Sequence, residues 1–239
     1  MIQATTLLMD IGNSNTLICD YHNGQFKTVR TIPTTEFLEN IHQISFEKYP
    51  QVIVSSVVPA IDERLKKIPH LQLVTYDNIP LLKLNLEKPS QVGADRIVNA
   101  LGAYTQYQTS CLIIDSGTAT TFCYVTAEGV YEGGAIFPGM KIASKALELY
   151  TAKIPLITVK PVEGLLGKST KQSVQIGLYW GYIHMINGMI AAYKNSDPSL
   201  TVIGTGNGLD ILKDRLALDM FDPLLILKGL AICAEHPLA

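Results

Sequence analysis

Two short polar segments of this chain each follow an apolar run, and both combine a carboxylate, a glycine and hydroxyl side chains. The first is DIGNSNT, which begins at Asp10, and the second is DSGTATT, which begins at Asp115. A glycine in such a turn lets the backbone take positive φ and lets a ligand approach closely, and successive backbone N–H groups can bind an anion. The carboxylate repels phosphate, but it can hold Mg²⁺ that bridges to phosphate oxygens. Two such turns could clamp a polyphosphate, although Asp- and Gly-rich turns are also common without any function.

The two segments belong to an internal repeat with an offset of 105 residues, which places Asp10 on Asp115. The same offset places Gly12 on Gly117, Thr16 on Thr121 and Gly24 on Gly129. Each half therefore predicts a strand, an Asp-x-Gly turn, a second strand, a glycine turn and a third strand. We expect two similar domains, the first covering residues 1–108 and the second residues 109–239.

The remaining elements follow from hydrophobic periodicity and turn residues. Strands are predicted at 6–11, 17–21, 26–30, 52–58, 71–76, 112–114, 121–126, 130–136 and 200–203. Helices are predicted at 94–104, 141–150, 171–194, 209–216 and 227–233, with one after Pro59 to residue 67 and one capped by Thr34 or Thr35 that runs toward Tyr49. Strand triplets followed by helix–strand units indicate α/β layers.

Composition excludes several classes of protein. The formal net charge is −2, and no long block of like charge occurs, so we expect no nucleic-acid partner. The first residues lack a basic segment, and no run approaches the ~20 apolar residues of a membrane span, so we expect neither a signal peptide nor a membrane partner. The four cysteines are scattered without metal-ligand spacing. We interpret them as reduced, mostly buried thiols of a cytoplasmic protein.

Four motifs in this order, DIGNSNT, GADR, DSGTATT and GGAIFPG, resemble those of the type III pantothenate kinases. These enzymes belong to the actin-, hexokinase- and Hsp70-like ATPases. The resemblance continues through TAKIP at 151–155, GKST at 167–170 and IGLYWGY at 176–182. It implies a duplicated actin-like (ribonuclease H-like) ATPase fold of the α/β class, with two domains flanking an ATP cleft. It also implies ATP-dependent phosphorylation of pantothenate to 4′-phosphopantothenate, the first step of coenzyme A synthesis.

The resemblance also assigns the phosphate side of the site. Asp115 falls on the residue that holds an activating monovalent cation, potassium or ammonium. Asp10 falls on the residue that contacts Mg²⁺, either directly or through a water molecule. The residues that fall on the ATP-binding loops are Asp10, Gly12, Asn13, Ser14, Asn15, Thr16 and Leu17 from the first segment, and Gly117 and Thr118 from the second.

The pantothenate side is assigned in the same way. Gly93, Ala94, Asp95 and Arg96 fall on the pantothenate-binding motif, with Asp95 as the general base. Asp95 lies at the start of an amphipathic pattern, where a carboxylate also favours the helix dipole for purely structural reasons. Thr170 falls on a further pantothenate contact that in the family comes from the neighbouring subunit, so the resemblance implies a homodimer.

Two positions depart from the family pattern. Leu86 stands where members often carry an aromatic residue, which alters one wall of the pantothenate pocket. Asn207 stands where a second glycine is usual, which affects how the adenine is held. Two alternatives stay open: a kinase for another small hydroxylated acid or sugar on the same fold, and a nucleotide-binding regulatory protein without kinase turnover.

Overall fold

The computed structural model describes residues 5–236, and the chain divides into two compact units. Unit 1 contains the chain up to Gln108, residues 125–133, and the segment from Leu224 onward. Unit 2 contains residues 109–124 and 134–223. The last segment of the chain therefore packs with the first part, whereas the predicted division at residue 108 places it in the second domain. That simple division into two stretches of sequence stays a prediction.

Unit 1 is built on a five-stranded sheet. Its strands are β1 (Thr6–Ile11), β2 (Asn15–His22), β3 (Gln25–Pro33), β4 (Gln51–Ser56) and β5 (Leu71–Leu73), in the order β3-β2-β1-β4-β5. The first three strands are antiparallel neighbours, and β4 and β5 run parallel to β1. Helix α1 (Thr34–Asn40) follows β3, and α2 (Pro59–Leu65) links β4 to β5. A short strand β6 (Lys83–Leu84) precedes helix α3 (Ala94–Tyr107).

Unit 2 repeats this arrangement. Its strands are β7 (Cys111–Ser116), β8 (Ala119–Val125), β9 (Val130–Pro138), β10 (Thr201–Thr205) and β11 (Met220–Phe221), and their order is β11-β10-β7-β8-β9. Strand β10 runs parallel to β7, as β4 runs parallel to β1. Helices α4 (Met140–Tyr150) and α5 (Thr170–Ser196) lie between β9 and β10. The first residues of β9 belong to unit 1, where β6 pairs with them in parallel.

The sequence repeat is confirmed as a structural duplication. Strands β1 and β7 have identical bounds after the offset of 105 residues, and so do β3 and β9. The glycines that turn the second strand into the third, Gly24 and Gly129, have φ of 74° and 76°. The strand orders β3-β2-β1-β4-β5 and β9-β8-β7-β10-β11 correspond one to one. The α/β class and the duplicated fold were therefore predicted correctly.

The side chains of unit 1 alternate between two faces of the sheet, as the pleat of a strand requires. On one face, Leu7, Met9 and Val54 pack in a cluster with Phe37 of α1 and Ile61 of α2. On the other face, Leu8 and Ile53 pack in a cluster with Val98 and Leu101 of α3 and with the last helix, α6 (Leu225–Glu235). We call this second surface the α3 face of the sheet. By the same alternation, Asp10 of β1 lies on the α3 face.

Helices α3 and α6 cross at very short range because each presents a glycine. A Cβ at Gly102 would lie 2.7 Å from the Leu225 carbonyl oxygen, and a Cβ at Gly229 would lie 2.1 Å from the Val98 carbonyl oxygen. No side chain fits at either position without moving one helix. The crossing fixes α3, and with it the GADR motif at the α3 N-terminus, against the C-terminal segment of the chain.

Two predicted helices are wrong in extent or type. The helix expected to run toward Tyr49 ends at Asn40, whose side-chain amide donates to the Glu36 carbonyl oxygen and competes with helical bonding, and two 3₁₀ turns follow. The helix expected at 209–216 is a pair of 3₁₀ turns, Asn207–Leu209 and Lys213–Arg215. The leucines that suggested it are buried, but a spacing of three or four residues serves either kind of helix.

The buried cysteines agree with expectation. Cys19, Cys111, Cys123 and Cys233 are all free thiols and all buried. Burial raises the pKa of Cys111 and Cys233 to about 12, so these thiols are poor nucleophiles. Among the helices within residues 5–236, none combines the length and the apolar character needed to cross a bilayer.

Candidate active site

The first candidate phosphate-binding turn connects β1 to β2. Asn13, Ser14 and Asn15 are exposed at its tip. The Gly12 N–H donates to the Asn15 carbonyl oxygen at 3.0 Å, which closes the turn tightly. Asp10 lies just before the turn and Leu17 lies opposite it in the β1–β2 register. The sequence segment DIGNSNT therefore forms a tight hairpin tip whose three central polar residues are exposed.

Thr34, the first residue of α1, holds this turn from below. Its hydroxyl donates to the Gly12 carbonyl oxygen at 2.7 Å, and its N–H donates to the Ser14 carbonyl oxygen at 3.0 Å. Because the Thr34 hydroxyl hydrogen is used on Gly12, the Thr16 hydroxyl is the donor in the 3.1 Å contact between the two threonines. Thr16 is fully buried, so it lies beneath the turn and not at its exposed tip. The expected capping role of Thr34 is wrong, since Pro33 precedes the helix and no side chain caps it.

The second candidate phosphate-binding turn connects β7 to β8 and is held in a similar way. The Gly117 N–H donates to the Ala119 carbonyl oxygen at 2.8 Å, and the Gly139 N–H donates to the Thr118 carbonyl oxygen at 3.0 Å. Gly117 and Thr118 are exposed. Below them, the buried hydroxyls of Ser116 and Thr120 lie 2.9 Å apart in a hydrogen bond. Both turns of the repeat thus rest on a buried pair of hydroxyl side chains.

Asp115 lies in a cradle that only glycine permits. A Cβ at Gly206, whose φ is 82°, would lie 2.3 Å from Asp115 Oδ1 and 2.6 Å from the Ser116 carbonyl oxygen. A Cβ at Gly208 would lie 2.6 Å from the same carbonyl. The Asp115 carboxylate and the Ser116 carbonyl thus lie together against the backbone of Gly206, and such oxygens are the ligands that monovalent cations take in proteins. The residues present therefore fit the cation predicted at Asp115.

The GADR motif forms the N-terminus of α3 in unit 1. The Asp95 carboxylate folds back over Gly93, two residues earlier, so that a Cβ at Gly93 would lie 2.4 Å from Asp95 Oδ1. The same oxygen accepts the Arg96 N–H at 2.8 Å. Burial raises the pKa of Asp95 above its usual range, and the bond from Arg96 only partly offsets this. A carboxylate with a raised pKa is suited to take a proton near neutral pH.

Arg96 is oriented by an aromatic ring of the same unit. Its guanidinium carbon lies 6.0 Å from the centre of the Tyr131 ring, and Tyr131 is fully buried. The pairing of β6 with β9 brings the chain near Leu86 to this place, because a Cβ at Gly133 would lie 3.2 Å from a Leu86 methyl carbon. Leu86 and Tyr131 therefore belong to the neighbourhood of GADR, and Tyr131 has no motif that would reveal it from the sequence.

Asp10 and Asp95 lie at the same edge of unit 1. Asp10 stands near the carboxyl end of β1 on the α3 face, and α3 covers that face. The segment just after β4 contacts the start of α3, since a Cβ at Gly93 would lie 3.4 Å from a Val57 methyl carbon. Mg²⁺ usually takes one or two carboxylates together with substrate phosphates and water. The single carboxylate of Asp10 beside an exposed anion-binding turn fits this pattern.

Thr170 lies in unit 2 as the first residue of α5 and is exposed. The cap of α5 is Ser169, whose side chain accepts the Gln172 N–H at 3.3 Å, while Gln172 Oε1 accepts the Lys168 N–H at 2.8 Å. The two bonds differ from a capping box only in that Gln172 accepts the N–H of the residue before the cap, and together they fix where the helix begins. Thr170 itself lies at the surface beside this cap.

Unit 2 also exposes many large apolar side chains close to α4 and to the segment before α5. Leucines and aromatic residues of this kind are usually covered when they cluster on a surface. The set comprises Ile136, Phe137, Ile142, Leu149, Tyr150, Leu156, Leu165 and Leu166, of which Tyr150 and Leu166 are 83% and 82% exposed.

Comparison with known proteins identifies the family of the chain. The sequence profile of the family described as type III pantothenate kinase matches residues 6–192. The type III pantothenate kinase of Listeria monocytogenes is 35% identical over 251 residues and covers 95% of both chains.

Solved structures with little sequence identity share the fold. A Campylobacter jejuni protein proposed to be a transcriptional activator of the Baf family has a TM-score of 0.67 at 21% identity, over 97% of this chain and 98% of the other. An archaeal actin homologue has a TM-score of 0.51 at 11% identity, over 97% and 99%. The actin-like fold therefore covers 97% of the chain.

The buried support of the first turn gives a testable prediction. Replacing Thr34 by Val keeps the shape of the side chain but leaves the Gly12 carbonyl and the Thr16 hydroxyl without their partner. We expect Thr34→Val to lower the free energy of unfolding by ~1–3 kcal/mol and to speed amide exchange at residues 12–16. Urea denaturation and hydrogen exchange measure the two effects. The exposed neighbour Thr35 is the matched control, and equal stability of Thr34→Val and Thr35→Val would contradict the assigned role of Thr34.

Proposed function

The chain belongs to the type III pantothenate kinase family, and we propose how its own residues carry out the reaction of that family. The enzyme uses ATP to phosphorylate pantothenate and gives 4′-phosphopantothenate in coenzyme A synthesis. The observation that carries the proposal is the partly buried carboxylate of Asp95, held at the start of α3 with a raised pKa, and α3 covers the face of unit 1 on which Asp10 lies. A regulatory protein without turnover has no need to retain such a costly group.

Asp95 acts as the general base in this proposal. The primary hydroxyl of pantothenate must lose a proton as it attacks the γ-phosphorus, and the Asp95 carboxylate accepts that proton. Because the transition state of phosphoryl transfer is loose, orienting the hydroxyl matters as much as basicity. The fold of the carboxylate over Gly93 and its bond from Arg96 restrict its orientation before substrate binds. Gly93 and Ala94 supply close backbone approach at the helix N-terminus, which favours an anionic substrate.

Arg96 binds the carboxylate of pantothenate. Its guanidinium is planar and donates in a fork that matches a carboxylate, which Lys cannot reproduce. Tyr131 lies beneath the guanidinium and limits its movement. Leu86 replaces an aromatic wall with a branched aliphatic one, so the pocket keeps its apolar character but loses a flat stacking surface.

The two turns bind ATP. The exposed polar residues of the first turn, Asn13 to Asn15, and Gly117 and Thr118 of the second turn contact the phosphates. Mg²⁺ at Asp10, directly or through water, supplies charge neutralisation on the phosphate oxygens when bound. A potassium or ammonium ion in the oxygen cradle of Asp115 and the Ser116 carbonyl adds positive charge beside them. Thr16 and Leu17 support the first turn from the β2 side.

The active enzyme is a cytoplasmic homodimer in this proposal. The exposed apolar side chains of unit 2 from Ile136 to Leu166 are suited to burial against a second copy of the chain. Thr170 follows directly after this segment at the capped start of α5, so a partner that covers the segment also meets Thr170. Thr170 then contributes its hydroxyl to the pantothenate site of the other subunit.

The base assignment predicts that Asp95→Asn loses turnover without losing stability. The change removes the proton acceptor, and general-base contributions are typically ~10²–10⁴-fold in rate. The folded-state pKa of Asp95 is raised, so the ionised carboxylate destabilises the folded state increasingly as pH rises above the unfolded pKa. At neutral pH the neutral Asn therefore leaves the melting temperature unchanged or raises it, whereas below the usual pKa of Asp the two proteins melt alike.

The pH dependence checks the same assignment. In the wild type, kcat/KM falls on the acid side as the raised pKa of Asp95 is crossed, at a pH above that of an ordinary Asp. The residual activity of Asp95→Asn lacks this acid limb. Steady-state rates and thermal melts of both proteins from acid to neutral pH give the result, and turnover of the variant within a few-fold of wild type removes Asp95 from the role.

The cation assignment predicts a dependence on the monovalent salt. Activity is expected to be low in sodium or Tris buffers and restored by potassium or ammonium. Asp115→Ala removes the carboxylate from the oxygen cradle and loses the response. Initial rates in matched chloride salts at constant ionic strength separate specific activation from screening, and equal rates in all four salts would argue against the site.

If Thr170 serves the pantothenate site of the neighbouring subunit, two weakly active variants should complement each other. Asp95→Asn and Thr170→Val are each weak alone, the latter because a polar partner is left unpaired at a cost of ~1–3 kcal/mol. After subunit exchange, one site of the heterodimer carries both defects and the other carries neither. Activity should rise toward half of the wild-type value per heterodimer, measured against each variant mixed with itself. Proven exchange without recovery would show that Thr170 does not serve the neighbouring site.

A further inference from the structure

Strand β4 carries a buried hydroxyl that takes no part in the proposed site. The side chain of Ser55 is fully buried, and within residues 5–236 its oxygen has no hydrogen-bond partner. A buried hydroxyl without a partner destabilises a fold, because the group gives up its bonds to water and gains none. Groups of this kind are rare in folded proteins and call for an explanation. Alanine at this position would avoid the cost, so a partner that Ser55 meets only in the ligand-bound enzyme would explain the hydroxyl.

The strand register places Ser55 directly beside Asp10. Strands β1 and β4 are parallel neighbours, and Asp10 and Ser55 are paired residues in their register. Neighbouring strands lie ~4.8 Å apart, and paired residues point to the same side of a sheet. That side is the α3 face, because Leu8 and Ile53, two residues earlier on each strand, both pack there. The hydroxyl of Ser55 thus lies within reach of the Asp10 carboxylate by side-chain rotation alone.

The neighbouring residue shows that the burial of Ser55 is not a general property of this strand end. Ser56 points to the opposite side of the sheet, and its hydroxyl accepts the Val58 N–H at 3.1 Å. Ser56 therefore has a structural partner within its own segment. Of these two adjacent serines, Ser55 is therefore the one whose hydroxyl lacks a hydrogen-bond partner within residues 5–236.

We propose that Ser55 is a positioning residue for the magnesium site, and that its hydroxyl donates to the Asp10 carboxylate when the divalent ion is bound with nucleotide. This inference rests on the proposed role of Asp10. A carboxylate that meets a metal ion or its bound water uses one oxygen for that purpose, and a donor on the other oxygen fixes the orientation of the group. Such outer partners commonly matter for metal affinity nearly as much as the ligands do.

The test measures ion binding and not turnover. Mn²⁺ serves as a paramagnetic substitute for Mg²⁺, and its binding in the presence of a non-hydrolysable ATP analogue is followed by the relaxation of water protons. Removing an outer partner typically weakens metal affinity ~10–100-fold. We expect Ser55→Ala to weaken Mn²⁺ binding by that factor, and at the same time to raise the melting temperature of the ligand-free protein, since the unpaired hydroxyl is gone.

Ser56→Ala is the matched control. It removes a hydroxyl from the adjacent residue, so we expect the opposite pattern: a lower melting temperature, because the Val58 N–H loses its acceptor, and unchanged Mn²⁺ affinity. Asp10→Asn tests the premise separately and should weaken Mn²⁺ binding at least as strongly as Ser55→Ala.

Each other result contradicts the inference in a recognisable way. If Ser55→Ala binds Mn²⁺ within twofold of wild type while Asp10→Asn does not, Asp10 keeps its role and Ser55 has none in the ion site. If Ser55→Ala melts lower without ligand, its hydroxyl already has a structural partner. If Asp10→Asn itself binds Mn²⁺ normally, the proposed magnesium role of Asp10 fails, and the role of Ser55 fails with it.

Discussion

The proposed catalytic arrangement depends on one constraint: the polar turns after β1 and β7 are each held by hydrogen bonds of buried hydroxyl side chains. Each turn ends a strand in the middle of its sheet, with antiparallel and parallel neighbours on its two sides. The apolar part of such a strand is fixed by packing, but the turn residues that follow the strand are exposed and need other restraints. Thr34 and Thr16 supply them in unit 1, and Ser116 and Thr120 supply them in unit 2. The carboxylates of Asp10 and Asp115 are therefore presented from rigid positions.

Two polar groups of unit 1 lower the stability of the fold. Asp95 is buried enough to raise its pKa, and Ser55 buries a hydroxyl without a partner. Natural proteins accept such local costs mainly where function requires them. In unit 1 both groups lie on or beside the α3 face, and the close crossing of α3 and α6 through Gly102 and Gly229 gives that face a firm cover. The tight packing of α3 against α6 thus stabilises the face of unit 1 that contains Asp95 and Ser55.

The sequence predicts the parts of the fold that repeat, but it does not predict contacts between residues that are far apart in the chain. The offset that relates Asp10 to Asp115 predicted β1, β3, β7 and β9, because strand ends and glycine turns leave a local signal. Thr34 was misassigned because its partner Gly12 is 22 residues away, and a threonine before a helical pattern resembles a cap. Ser55 was missed because only the register of β4 on β1 places it beside Asp10. The buried leucines between 209 and 216 predict an α-helix where the structure has two 3₁₀ turns, because their spacing fits both kinds of helix.

All the proposed roles depend on transfer of the γ-phosphoryl group of ATP to pantothenate. Phosphorus NMR of the purified protein with ATP, magnesium and potassium, with and without pantothenate, follows this transfer. We expect a new phosphomonoester resonance that appears only with pantothenate and grows in step with ADP. Release of inorganic phosphate at the same rate with and without pantothenate, or no consumption of ATP at all, would contradict it.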